Sequence, residues 1–447
     1  MFFEAPELPR FFAFPAIFVL DLPLATSHVR PMKIPELLAP VGSLEKLETA
    51  VLYGADAVYL GGPGLNLRAR SAGLDWDELG QAVAFAHRHG VRVYFCFNAF
   101  VPQGRLSAVH AHVDHLADFD LDGLIVADPG VLSICQERLK HLPVHLSTQA
   151  NTMSAASAEF WAGQGVSRVN LARELTREDM EAVAAASPHM ADKGVELEVF
   201  VHGAMCLSLS GRCLLSDWLN SRAANQGQCT QPCRFHYRPV SEGPLHMTVE
   251  EQQRKDGPLW DIVEEDGFSA MFAPQDLCLV DYLEWFARSG IHAVKIEGRM
   301  KSAGYLARVL DVYRTALDDL AAGNFGSHNY MAELLATASR PLSTGFFLGE
   351  ERDVWTPETK NIAGVLARVE RAEGNGRHIV QVKAAWDAGR DVELVLPGMR
   401  RDVVRAGEYT LVDHQGEETS RLNSGMAGEF HCPGRTLGNG LFLSAVK

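Results

Sequence analysis

Eight short apolar runs, each of four to seven residues, punctuate the chain between Pro35 and Glu297: Glu36 to Ala39, Ala57 to Leu60, Val91 to Phe97, Gly123 to Ala127, Val144 to Ser147, Arg168 to Leu171, Glu196 to Val201 and Ala293 to Ile296. Amphipathic stretches such as Leu44 to Tyr53, Trp76 to His89, Leu106 to Ala117 and Arg177 to Ala186 lie between them, and Ser302 to Ala322 follows the last run as a helix with one apolar face. Strands that alternate with helices pair in parallel, and eight of them are what a closed barrel needs. The predicted fold class is therefore α/β, a TIM-like (β/α)8 barrel over residues 33 to 322 with its reactive side chains at the C-terminal ends of the strands. One gap breaks the rhythm. Between the seventh and eighth runs lies a long insertion, residues 202 to 268, which leaves a strand at its C-terminal end and so lies over the barrel mouth.

That insertion holds four of the chain's eight cysteines, with six, fifteen and three residues between Cys206, Cys213, Cys229 and Cys233. The intervening segment is rich in Ser, Gly, Asn and Gln, composition that lets a chain fold back around one centre. Structural zinc usually takes two pairs at C-x₂₋₄-C spacing, and only Cys229 and Cys233 fit that pattern. Unevenly spread thiolates suit an iron–sulfur cluster better. Spacing leaves open two other readings: small buried thiols, or Cys206 paired with His202 as a hydrolytic nucleophile.

The run Glu198 to Ser216, EVFVHGAMCLSLSGRCLLS, resembles the signature of the collagenase-like peptidases, peptidase family U32. Further matches are PELLAPVGSLEKLETAVLYGADAVYLGG (Pro35 to Gly62), HLSTQAN (His145 to Asn151), LARELT (Leu171 to Thr176), NQGQC (Asn225 to Cys229) and VKIEGRMKS (Val294 to Ser302), so the likeness covers nearly everything from Lys33 onward. Within the family the chain is most similar to the members that hydroxylate transfer RNA. The resemblance implies a 4Fe–4S cluster held by Cys206, Cys213, Cys229 and Cys233. It also implies oxygen-independent conversion of wobble uridine to 5-hydroxyuridine in the anticodon arm, with prephenate as the small-molecule hydroxyl donor.

In a barrel, polar residues just after the strands converge on one face. They include Asn98, Asp128, Gln149, Asn151, Arg173, His202, Glu297 and Arg299, of which His202, Glu297, Asn151 and Gln149 are the candidates for catalysis. Each singly has a structural explanation: Asp128 before Pro129 caps a helix, and Glu297 pairs with Arg299 or Lys301. Arg68, Arg70, Arg173 and Arg299 are candidate anchors for carboxylate or phosphate, since a guanidinium offers paired donors to two oxygens. Cys96, inside the strand YFCFNAF, reads as a buried hydrophobe, and His110, His112 and His115 as a solvated helix face.

The remaining segments complete the map. Residues 323 to 343 read as a linker with a short helix near Met331 to Ala338, and residues 344 to 447 as a small all-β, barrel-like domain of short alternating strands. Residues 1 to 31 read as a disordered leader or a mis-called start: Phe11 to Leu24 is too short to span a bilayer and is interrupted by Pro15, Asp21 and Pro23. No membrane partner is expected, and clustered rather than paired cysteines point to the reducing cytoplasm. A net charge of −15 gives no global signature for binding a polyanion. Locally, residues 201 to 240 carry Arg212, Arg222, Arg234 and Arg238 against the single acid Asp217.

Three functional readings follow. The first is RNA hydroxylation. The second is the peptidase of the family name, although H-E-x-x-H, G-x-S-x-G and an acid-oriented Cys–His pair are all missing from the sequence. The third is a related cluster-dependent hydroxylase acting on ribosomal RNA or a quinone precursor.

Overall fold

The computed structural model describes residues 32–65, 73–186, 194–206, 208–209, 212–213, 215–220, 222, 224, 229–234, 237–243, 246–251, 259–263, 275–349, 353–357 and 364–446. Residues 1 to 31, with Arg68 and Arg70 and much of the predicted insertion, lie outside the described residues.

Seven strands, β1 (Glu36–Pro40), β2 (Ala57–Leu60), β3 (Arg92–Phe97), β4 (Gly123–Val126), β5 (Val144–Leu146), β6 (Arg168–Asn170) and β7 (Glu196–Ala204), pair in parallel in chain order. The eighth stave, β12 (Ala293–Ile296), pairs in parallel with both β1 and β7 and closes the barrel. The helices begin where local chemistry starts them. Ser43 caps α1 (Leu44–Leu52), Asp75 and Glu78 form a capping box at α2 (Trp76–Arg88), and Asp128 accepts from the Gly130 and Val131 amides ahead of α4 (Pro129–Arg138).

Alternation along the strands separates two cores. Leu37, Ala39, Val58, Leu60, Phe95, Val126 and Val199 face the helices, while Leu38, Ala57, Tyr59, Tyr94, Cys96 and Ile125 form a smaller cluster inside the barrel. The lower interior is charged. Arg168 reaches Glu36 (2.8 Å), Glu196 and Glu198 (3.4 Å), Arg92 also pairs with Glu36, and Lys295 pairs with Glu198 at 2.9 Å. Buried charges hold only when paired and hydrogen-bonded; here Tyr94 and Asn170 donate to the same carboxylates.

The expected insertion is anchored on an extension of β7. This strand runs three residues past the Val201 expected from sequence, and its surplus end pairs antiparallel with β11 (Asp276–Cys278), matching Asp276 to Ala204 and Cys278 to His202. Between them lie α7 (Leu215–Asn220) and a three-stranded antiparallel sheet of β8 (Tyr237–Gly243), β9 (His246–Glu251) and β10 (Leu259–Val263).

After β12, the long helix α9 (Ala303–Ala321) lies on the barrel wall, and α10 (Tyr330–Leu335) follows it. The C-terminal part is an eight-stranded antiparallel sheet in the order Arg400–Val404, Val392–Leu396, Phe442–Ala445, Val365–Gly374, Arg377–Val382, Ala427–His431, Thr410–Val412, Glu418–Thr419. It packs on α1 and α9. The Tyr53 hydroxyl donates to the Val395 carbonyl at 2.6 Å, and Asp311 on α9 accepts from the Gly398 amide (2.6 Å) and pairs with Arg401 (2.8 Å). Arg308 joins the same buried group, bridging Glu333 and Glu393.

Candidate functional site

A cavity of about 170 Å³ opens at the C-terminal end of the barrel. Its floor is the top of the barrel interior, Tyr59, Cys96, Ile125, Asn170, Phe200 and Lys295, and its wall is the start of the insertion. Such convergence follows from the strand geometry, because inward positions at the ends of parallel staves share one mouth.

Of the predicted site residues, Cys206, Cys213, Cys229 and Cys233 all line this cavity, as do Gln149, Arg173, Glu297 and Arg299. Arg173 donates to the Ala204 carbonyl at 3.0 Å and lies over the Phe200 ring, which fixes its guanidinium at the rim. Asn98 donates to the Ser147 hydroxyl (3.3 Å) and to Gln149 Oε1 (3.2 Å), joining strands β3 and β5 at the rim.

Two candidates lie elsewhere. Asn151 ends the turn Thr148–Ala150 in a left-handed conformation and is absent from the cavity wall. His202 is also absent from it, for a specific reason. Period-two alternation places His202 on the same face as Glu198 and Phe200, but a register shift between β7 and β12 inserts a bulge before it. The imidazole therefore turns outward to α9, where Nε2 meets the Tyr305 hydroxyl at 3.1 Å and Nδ1 the Tyr313 hydroxyl at 3.4 Å. Burial there lowers its pKa to about 4. A neutral ring with both nitrogens turned to tyrosines gives no geometric basis for a Cys206–His202 pair.

Sequence reasoning missed the floor. Lys295 and Asn170 meet at Glu198, whose carboxylate takes the Asn170 amide at 2.6 Å and the Lys295 ammonium at 2.9 Å. Burial opposes the Glu198 charge, yet Lys295 and Arg168 hold its carboxyl below the usual range. The signal was present in AVKI and ELEVF: a charge within a strand buried on both faces must meet a partner inside the barrel. Cys96, expected as a plain hydrophobe, is part of the cavity floor, and burial raises its thiol pKa.

Among the described residues, which include all eight cysteines, no disulfide forms. Nor does any group of three or more His, Cys, Asp or Glu among them gather closely enough to hold a metal ion. A single zinc draws its sulfurs to within roughly 4 Å of each other, because each lies about 2.3 Å from the ion. A four-iron cluster stands between its thiolates and spaces them more widely. Four thiols line this one cavity, with the Gln231 amide 3.4 Å from the Cys229 sulfur, and thiolates are the donors that an iron–sulfur cluster takes.

The model of peptidase family U32 matches residues 42–357. The chain is 34% identical over 349 residues to tRNA hydroxylation protein P of Escherichia coli (strain K12), covering 71% of this chain and 76% of that protein. It is 38% identical over 321 residues to tRNA hydroxylation protein P1 of Bacillus subtilis (strain 168), covering 71% and 72% respectively. It is also similar to a protein named collagenase from Porphyromonas gingivalis, 28% identical over 331 residues and covering 72% of this chain and 75% of that protein. No helix among the described residues is long and apolar enough to cross a membrane.

Proposed function

The chain belongs to peptidase family U32, and from that premise we propose that it is an RNA-modifying hydroxylase which converts the wobble uridine of transfer RNA to 5-hydroxyuridine in the cytoplasm, with prephenate as hydroxyl donor. Cys206, Cys213, Cys229 and Cys233 would hold its 4Fe–4S cluster. The observation that carries this reading is the shared cavity, which the four thiols line together with Arg173, Arg299 and Lys295.

Replacing a ring hydrogen by hydroxyl is a two-electron oxidation of the base, balanced if the donor's C–O bond breaks and the donor takes up the hydrogen and the two electrons; a bound cluster would supply one-electron transfer between the two. The chain's own residues do the rest. Arg173 and Arg299 attract anionic groups of the reactants, the Asn98–Ser147–Gln149 rim offers amides and hydroxyls for hydrogen bonding, and the barrel wall excludes water from below. A cavity of this size takes one base extruded from a loop, not a helix. Hydrolysis is the weaker reading, because it needs an activated nucleophile and the outward turn of His202 takes that imidazole away from Cys206.

Nucleoside analysis of transfer RNA from cells lacking the protein, and from the same cells complemented, tests the proposal. Loss of 5-hydroxyuridine that returns on complementation is expected; unchanged wobble hydroxylation in the absence of the protein would overturn it.

A further inference from the structure

The arginines of this chain divide by what they hold. On the C-terminal sheet they are met by neighbouring carboxylates: Arg371 by Glu373, Arg405 by Asp391 at 2.6 Å and Arg435 by Asp402 at 3.2 Å. By contrast, the guanidinium groups of Arg105, Arg212 and Arg222 have no hydrogen bond, ion pair or ring contact among the described residues. Arg212 is exposed and the other two are half-buried.

All three stand on segments that leave the C-terminal ends of staves. Arg105 ends the turn Gln103–Arg105 after β3, and its guanidinium lies 3.8 Å from where a Cβ would stand on Gly64, in the loop that follows β2. Arg212 and Arg222 follow β7 and flank α7. In the closed ring β3 and β7 are four staves apart in either direction, so these arginines stand on opposite banks of the barrel mouth. None of the three lines the cavity. A reactant held wholly within it does not meet them, so they serve something that extends past its rim.

The β7 bank is firm and positive. The Arg222 amide donates to the Ser216 carbonyl at 3.3 Å, and Ser216, fully buried, accepts the Thr230 amide on its hydroxyl at 2.9 Å. Asn220 donates to Thr230 Oγ1 at 2.7 Å, which ties both ends of α7 to the turn between Cys229 and Cys233. Between residues 201 and 240 the single acid is Asp217. A chain of net charge −15 repels a polyanion over most of its surface, so an anionic strand settles where cations are local and not already paired. On the C-terminal sheet a phosphate would first have to displace a carboxylate.

We propose that Arg105 on one bank and Arg212 and Arg222 on the other hold the RNA backbone on either side of the base that enters the cavity, with the C-terminal sheet taking no part in that contact. This rests on the RNA reading above and adds to it the face on which the strand lies. Phosphate contacts of this kind give affinity without sequence preference and leave the cavity to read the base. A quinone precursor, which has no phosphates to reach the banks, gains nothing from these arginines.

Fluorescence anisotropy tests this on the full chain, purified without oxygen, with a labelled anticodon stem-loop RNA that carries uridine at the wobble position. Affinity is measured over a series of salt concentrations. Arg105→Gln/Arg212→Gln/Arg222→Gln is expected to bind about tenfold or more weakly, with the slope of log affinity against log salt smaller by about two, since each single-strand phosphate contact contributes about 0.7. Arg371→Gln/Arg405→Gln/Arg435→Gln, on the C-terminal sheet, is expected to stay within about twofold of wild type with the same slope. Arg105→Gln alone, on the bank that carries no cysteine ligand, is expected to lower the slope by about 0.7. It decides the case if absorbance spectra show that the triple variant has lost iron. Unchanged affinity and slope in the Arg105 variant, or an equal loss in the C-terminal variant, would overturn the assignment while RNA binding itself stands. Wild-type protein without affinity for the stem-loop overturns it as well, and the nucleoside analysis then shows independently whether transfer RNA is hydroxylated.

Discussion

Gly203 and Glu297 meet backbone to backbone at the barrel seam. The Glu297 amide donates to the His202 carbonyl at 2.8 Å, and a Cβ placed on Gly203 would fall 2.3 Å from the Glu297 carbonyl oxygen. Gly203 also has φ +107°, a conformation that side chains rarely adopt. The bulge that turns His202 outward and the approach that sets Glu297 at the cavity wall are one device.

Gly203→Ala is therefore expected to lower stability by about 3 kcal/mol or more, combining backbone strain with a clash that no side chain can relieve. Gly90→Ala is the control, since Gly90 has φ +73° but nothing within 4 Å of its Cβ position; it costs about 1 kcal/mol. Chemical denaturation of the two variants gives the difference, and equal losses would show that the seam has room.

Serine at any one of positions 206, 213, 229 or 233 should reduce bound iron and visible absorbance well below those of wild type, which is expected to hold about four irons per chain when purified without oxygen. Cys432→Ser, just past the strand Ala427–His431 of the C-terminal sheet, should leave both unchanged. Iron assay and absorbance spectra decide this, and full iron content in all four variants would remove the cluster from the site.

Acid should weaken the fold partly through His202. Burial lowers its pKa to about 4 from 6.5, so the folded state favours the neutral ring. The stabilisation is complete above pH 6.5 and is lost as pH falls toward 4, in total about 3 kcal/mol. His202→Gln should be less pH-sensitive than wild type across that window. Parallel urea titrations at pH 7 and pH 4.5 measure it; identical losses in both proteins would place the sensitivity elsewhere, with His145 as the next buried imidazole.

Between the barrel and the C-terminal sheet, Arg401→Met should be costly. It removes the cation from Asp311, which is 1% exposed and whose pKa burial already raises in spite of Arg401. Removing one partner of such a pair costs about 3–5 kcal/mol. A melt that splits into two transitions, or early proteolytic release of the C-terminal part, is the expected signature; a single unshifted melt would show that apolar packing alone joins the two.

Much of this architecture was legible from periodicity. The limits of β2 and β12 agree with the apolar runs to the residue, and Asp128 caps α4 as the Asp-Pro step suggests. Hydrophobic alternation is strong where strands are buried on both sides, and capping chemistry is local. What alternation does not carry is a change of register. The extension of β7 depends on β11, which arrives from seventy-odd residues later, and its bulge on the pairing with β12, which arrives later still, so alternation alone puts His202 on a face it does not take. The cavity floor was missed differently: Lys295 sits inside β12 and Asn170 is the last residue of β6, within the apolar run Arg168 to Leu171, where a search confined to residues after the strands does not look.

The pairing of β7 with β11 has one more consequence. The segment that leaves the barrel at Met205 returns one strand spacing away at Asp276, so its two feet stand side by side. A loop rooted in that way transmits little force to the staves beneath it, whatever its own contour. A cysteine-bearing segment exchanged for a longer or shorter one would therefore leave the barrel below with the same geometry.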